Sequence, residues 1–378
     1  MKVSILQENL AAALKVAVRA IDSRPTLPIL GNVLLEAEGS GLRVTGTNLE
    51  TTVSTLIGAK VEKAGAITLP AKTLLELVDN LSPERVDLTL NDKTQTVNIR
   101  CGTSNNNVKG MSATEYPKLK LSADHKRVAL NAKSFKSMIA QTVFAASRFD
   151  IRPILTGVYF EFKGDCLTMA AADGYQLAVR RTKIDDNFQT PCEMVVPAKA
   201  LAEVGRIVTD DSDELIVELD ERGDYVVFRD SRTTVSSQLL EGRFPDFSVI
   251  IPKSYETSMR AYVSDVLKTC KRVEIFARDS ANSVLLNIEP ARSKDKPGKL
   301  VISGKSAERG DAEGVVDVLA DGDPVEVSFN VRYLINALNA IDEEQFVFEA
   351  SGASRPGVFR PEGGEDFVIV IMPMSVKR

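Results

Sequence analysis

The sequence predicts an α+β chain of three tandem, pseudo-symmetric domains, each combining two helices with antiparallel strands. Three observations carry this. The chain has 378 residues, too many for one ordinary core and suited to two or three domains. Hydrophobic residues make up 44% and charged residues 26%, the balance of a packed globular protein. A unit of about 126 residues, read as helix, strand, strand, second helix and further strands, occurs three times.

The first helix of each unit has apolar residues at helical spacing: Leu10, Leu14, Ala17, Val18 and Ile21, then Phe135, Met138, Ile139, Thr142, Val143 and Ala146, then Val266, Cys270, Val273 and Ala277. Strands follow at Val33–Glu36, Val158–Glu161 and Val284–Asn287, and again at Leu42–Thr45, Leu167–Ala170 and Leu300–Ser303. The second helix sets the register: Leu74, Val78 and Leu81 match Leu201, Gly205 and Val208, and then Leu334, Leu338 and Ile341. Pro70 and Pro197 are read into its first turn, where a missing amide costs nothing. Asn330 takes that place in the third unit, as a residue suited to capping. Each unit closes on alternating strands and a proline: Tyr116-Pro117, Phe244-Pro245, Met372-Pro373. The expected domains are 1–122, 123–252 and 253–378, with polar joints at Ser122–Lys126 and Lys253–Thr257.

Chemistry is hard to find. Cys101, Cys166, Cys192 and Cys270 lie far apart, the pattern of buried thiols in a reducing cytoplasm. The single histidine, His125, reads as a solvated linker residue. No phosphate loop, dinucleotide fingerprint, zinc-protease motif or nucleophile elbow occurs. The acidic run Asp210-Asp211-Ser212-Asp213-Glu214 reads as a solvated turn, and Asp173-Gly174 as a tight turn between strands. No apolar stretch approaches the roughly 20 residues of a membrane span, and no signal peptide is expected. No catalytic residue, metal site or cofactor is expected.

The net charge is −5 and the pI about 5.3, which alone argues weakly against nucleic acid. Its distribution argues otherwise. The six helical stretches carry thirteen basic and eight acidic side chains, a balance of +5 that leaves −10 for the rest of the chain. Cationic helices beside an acidic remainder attract phosphates at one surface and discourage them at others.

Arg24-Pro25-Thr26-Leu27-Pro28-Ile29-Leu30, followed by Gly31-Asn32, resembles the loop after the first helix in bacterial DNA sliding clamps, the β subunits of DNA polymerase III. Three further stretches agree in order: Ala172–Val179, Glu241–Phe247 and Val370–Met374. The resemblance implies three clamp domains with curved antiparallel sheets, and a head-to-tail homodimer closing a six-domain ring. Helices would line the hole, and double-stranded DNA would be encircled without sequence preference or turnover. Implied partners are the polymerase III catalytic subunit, the clamp loader and other proteins bearing a clamp-binding motif.

Of the DNA-facing positions, Arg24 and Lys72 match the family, and Arg152 and Lys199 are additions; Phe149, Pro153 and Ile154 depart from it. The partner-peptide cleft would be lined by Leu155, Ala172, Gly174, Tyr175, Leu177, Pro245, Ile250, Tyr333, Ser354, Val370, Met372, Pro373 and Met374. Methionines suit such a receptor because they adapt to varied ligands. Tyr175-Gln176 stands where many relatives have histidine or arginine, and Ser375–Arg378 lengthens the tail. The dimer contact would join Asn106 and Val108 to the partner copy's residues corresponding to Ile275 and Phe276. Asn106 replaces an aromatic anchor, a loss of about 2 kcal/mol. Two rival readings are a clamp-like scaffold that does not encircle DNA and an enzyme on an α+β frame. The missing nucleophile–base pair counts against the second.

Overall fold

A computed structural model describes residues 1–118, 125–208, 213–220, 223–291 and 297–374, with His125 described by its backbone only. Most of the joint expected at Ser122–Lys126, the residues Asp210, Asp211 and Ser212, and the tail Ser375–Arg378 lie outside the described residues. The chain forms two compact units, Met1–Lys136 with Lys199–Leu239 and Ser137–Ala198 with Leu240–Arg378.

The first unit holds helices α1 (Gln7–Ala17) and α2 (Ala71–Asp79) against two antiparallel sheets. One sheet has five strands in the order Lys60–Lys63, Lys2–Leu6, Arg85–Asn91, Thr96–Cys101 and Ser104–Lys109. The other has eight, and in it Thr233–Gln238 pairs with Thr51–Gly58 (Thr233 opposite Thr55, Ser237 opposite Thr51). Leu10, Leu14 and Ala17 of α1 and Leu74 and Val78 of α2 are fully buried with Val33, Leu35, Val44, Ile67, Leu88 and Ile99. The helical spacing thus meets the alternation of the strands in a single core. Gly46 makes the close approach possible, since a Cβ there would stand 2.1 Å from the Ala17 carbonyl oxygen.

The second unit is built on a ten-stranded sheet that begins with two long strands, Gly157–Ala172 and Gln176–Pro197. Phe367–Ile371 pairs with the second of these, Ile371 opposite Gln176 and Phe367 opposite Arg180. Buried Phe346, Phe348 and Phe359 pack with ring centroids 4.8 and 5.8 Å apart. The remaining helices are α3 (Ala132–Thr142), α4 (Ala198–Ile207), α5 (Val263–Ala277) and α6 (Val331–Asn339). Val266, Cys270, Val273 and Ala277 form the buried stripe of α5.

Several local expectations change. Each repeat opens with a strand ahead of its first helix: Lys2–Leu6, His125–Asn131 and Thr257–Tyr262. The His125 backbone heads the second of these opposite Asp220, so the residue belongs to a strand and not to a linker. Val128 and Leu130 provide the buried alternation that holds the strand in place. Leu81, Val208 and Ile341 lie just beyond the second helices, and Val208 and Ile341 are buried there. Pro70 precedes α2 at its N-cap position and makes no side-chain capping bond, so it lies outside the first turn. Asn330 caps α6, its side-chain oxygen accepting from the Arg332 amide at 3.0 Å. Arg19, Asp22, Arg148, Arg278 and Asp279 fall outside the six α-helices, leaving ten basic against six acidic residues on them. The excess persists.

Candidate functional site

The cations come first. Lys72, Lys199 and Arg332 are each the second residue of a second helix, in α2, α4 and α6. All three are exposed. The helix macrodipole opposes a cation in a first turn by about 0.3–1 kcal/mol, so this repetition is not explained by helix stability. Arg332 approaches Glu274 at 3.7 Å, while Lys72 and Lys199 make no ion pair among the described residues. Helical acids are largely engaged: Asp79 with Lys15 at 2.9 Å, Glu203 with Arg19 at 3.5 Å and with Arg206, Glu274 with Arg278 at 3.8 Å. Arg24 and Arg152 are exposed in loops that lead into matching 3-10 turns, Pro28–Gly31 and Pro153–Thr156. Phe149 occupies the second-repeat counterpart of Arg24, and Arg152 that of Leu27.

In the second unit, residues expected to line the partner cleft gather around one turn. Asp173, Gly174 and Tyr175 join its two long strands, with Gly174 at φ +95°. Asp173 Oδ1 accepts from the Tyr175 and Gln176 amides at 2.8 and 2.9 Å, and Oδ2 from Gln176 Nε2 at 3.1 Å. The Tyr333 hydroxyl donates to the same carboxylate. Burial, reinforced by the Asp173 charge, pushes that phenol up to about 12, so it remains a donor at neutral pH. The Met372 amide donates to the Tyr175 carbonyl and the Met374 amide to Ser328, both at 2.8 Å. This pins the chain after Ile371 while leaving the Met372 side chain 38% exposed.

The residues packed beside this turn are apolar. Leu177 and Val370 are buried in one cluster and Leu155 in another, and Ala172 packs against both. Tyr159 and Phe247 touch both clusters as well. Tyr159 stacks on Phe244 at 5.5 Å and meets Phe247 edge-on at 5.8 Å. These three aromatics and Asp173 are the residues that sequence reasoning missed. Phe244 and Phe247 lie inside the Glu241–Phe247 stretch, which was a usable signal; Tyr159 reads as ordinary strand alternation. Ile250 and Tyr175 are exposed. Pro245 is exposed and Pro373 and Met374 are half-buried. Ser354 is exposed on the loop after strand Gln345–Ala350.

Two of the open strand edges bear on self-association. Ser104–Lys109 is the last strand of its sheet. Asn106 is half-buried at its middle and Val108 is buried, while Asn105 and Asn107 accept from Asn98 Nδ2 at 2.8 and 2.9 Å. In the second unit, residues 310–318 of strand Gly310–Gly322 pair on one side only, with Gly298–Ser306. Val315 and Leu319 are exposed on that strand, two apolar positions not singled out from the sequence. Ile275 and Phe276 close the last turn of α5, exposed and half-buried respectively. Among the described residues no group of side chains is arranged to hold a metal ion, and no helix is long and apolar enough to cross a membrane.

Residues 1–120, 129–246 and 248–375 match the N-terminal, central and C-terminal domains of the DNA polymerase III beta subunit. The chain is 30% identical to the beta sliding clamp of Synechococcus elongatus over the whole of both chains. It superposes on the DNA polymerase sliding clamp of Bacillus subtilis with a TM-score of 0.92 at 28% identity, covering 100% of this chain and 99% of that one. Against the DNA polymerase III subunit beta of Pseudomonas aeruginosa the TM-score is 0.91 at 26% identity, with complete coverage of both. The chain therefore belongs to the DNA polymerase III beta subunit family, the sliding clamps, and is a non-catalytic processivity subunit of DNA replication.

Proposed function

We propose that two copies of this chain close head to tail into a six-domain ring, with Arg24, Lys72, Arg152 and Lys199 turned toward an encircled duplex. The observation that carries this reading is the cation on the first turn of the second helix in all three repeats. A helix N-terminus already favours anions, and an added cation makes it a phosphate-attracting point without base contacts. Arg332 joins the four sequence-derived positions on the same ground. A few modest contacts leave the duplex free to move through the ring.

Strand pairing supports closure. Thr233–Gln238 joins the second repeat to Thr51–Gly58 of the first, and Phe367–Ile371 joins the third to the second. By the same rule the closing strand of the first repeat, Ser104–Lys109, takes residues 310–318 of a second copy. Asn106 and Val108 then face the second copy near its Ile275 and Phe276 turn, and a closed heterologous contact leaves neither of these two edges free. The replicative polymerase, the clamp loader and other motif-bearing proteins dock a short apolar peptide in the cleft of the second unit. The compartment is the cytoplasm.

Sedimentation at micromolar concentration tests closure, and retention on nicked circular DNA tests encirclement. A dimer whose retention disappears on linearising the DNA is the expected result. A monomer, or equal retention on linear DNA, favours the scaffold reading, for which Asn106 is the supporting feature.

A further inference from the structure

We infer that the partner cleft continues into a second, cationic compartment that receives an acidic flank of the docked peptide; this rests on the cleft reading above. A cavity of about 400 Å³ lies between the segment following Val249 and the loop after strand Gln345–Ala350. Ile250 and Met372, which the cleft reading also assigns to the cleft, line this cavity, so the two sites share these side chains. Its walls are apolar at Val249 and Tyr255, both exposed, and its rim carries Lys253 and Arg355.

The charges decide the occupant. Lys253 and Arg355 are exposed and make no ion pair among the described residues. The one acid lining the cavity, Glu349, is held by Arg360 at 3.5 Å. Two unneutralised cations on an apolar wall, in a chain whose net charge is −5, select a short acidic segment against a basic one. The compartment therefore adds selectivity beside a cleft that the apolar core of the peptide fills.

The test uses the full-length chain and fluorescence anisotropy with a labelled pentapeptide rich in leucine and phenylalanine. The peptide is measured bare, with Asp-Asp at either end, and with Lys-Lys at either end. One Asp-Asp peptide is expected to bind about fivefold tighter than the bare one, as two screened ion pairs allow. That gain should vanish in K253A/R355A and at high salt, with bare-peptide affinity unchanged. No gain from either acidic flank, an equal gain from Lys-Lys, or a gain that survives in the double variant overturns the inference. Absence of bare-peptide binding removes the cleft reading and the inference with it, an outcome distinct from a bare peptide that binds and ignores its flank.

Discussion

The two places where neighbouring repeats share a sheet have one backbone plan and opposite surfaces. At the first, Ser237 stands opposite Thr51 and the Gln238 amide donates to the Glu50 carbonyl at 2.8 Å. At the second, Ile371 stands opposite Gln176 and the Met372 amide donates to the Tyr175 carbonyl, also at 2.8 Å. Both turns use the left-handed region, Leu49 at φ +81° and Gly174 at φ +95°. The side chains differ throughout: Thr47, Thr52, Ser236 and Gln238 occupy the places of Ala172, Leu177, Val370 and Met372. The hydroxyls of Thr47 and Thr52 satisfy each other at 2.7 Å, where Ala172 and Leu177 present carbon. Backbone pairing makes the join, and on the proposed reading side-chain polarity decides whether it also becomes a receptor.

Exchanging the polarity should have the largest effect. L177T with V370S carries the first join's residues into the second; it should cost about 3 kcal/mol of stability in denaturant unfolding and abolish pentapeptide binding. Intact binding would mean that the floor of the cleft lies elsewhere. Next come the repeated cations. Alanine at Lys72, Lys199 or Arg332 should lower the slope of log retention against log salt by about one each, with unchanged thermal unfolding. A smaller effect separates the two turns. L49G should stabilise the chain by about 1 kcal/mol because leucine is strained at positive φ, whereas G174L should destabilise it by a similar amount. The smallest effect is chemical: Cys270 is buried and its thiol pushed up to about 12, so it stays protonated and unlabelled at pH 8. Half-buried Cys166 and Cys192 should react first.

Helix registers were legible because Leu10, Leu14 and Ala17 recur as Phe135, Ile139 and Thr142 and again as Val266, Cys270 and Val273. The opening strands were not, since residues such as His125, Lys126 and Arg127 conceal the short alternation of Val128 and Leu130. Pairing between repeats was also invisible: nothing local in Thr233–Gln238 specifies Thr51–Gly58 some 180 positions earlier. The proposed cleft rests on motif resemblance alone in the sequence, because its buried members Leu177 and Val370 have the pattern of any interior strand, and Tyr159 signals nothing until its neighbours are folded around it.

The middle third of the chain has no sheet to itself. Among the described residues four of its strands are completed by residues that come before, and its two long ones by residues that come after. Excised as a fragment, it would carry two raw margins of unsatisfied amides and carbonyls, a template for aggregation and not for independent folding. Shuffling this third alone between related proteins should fail unless both flanking margins travel with it.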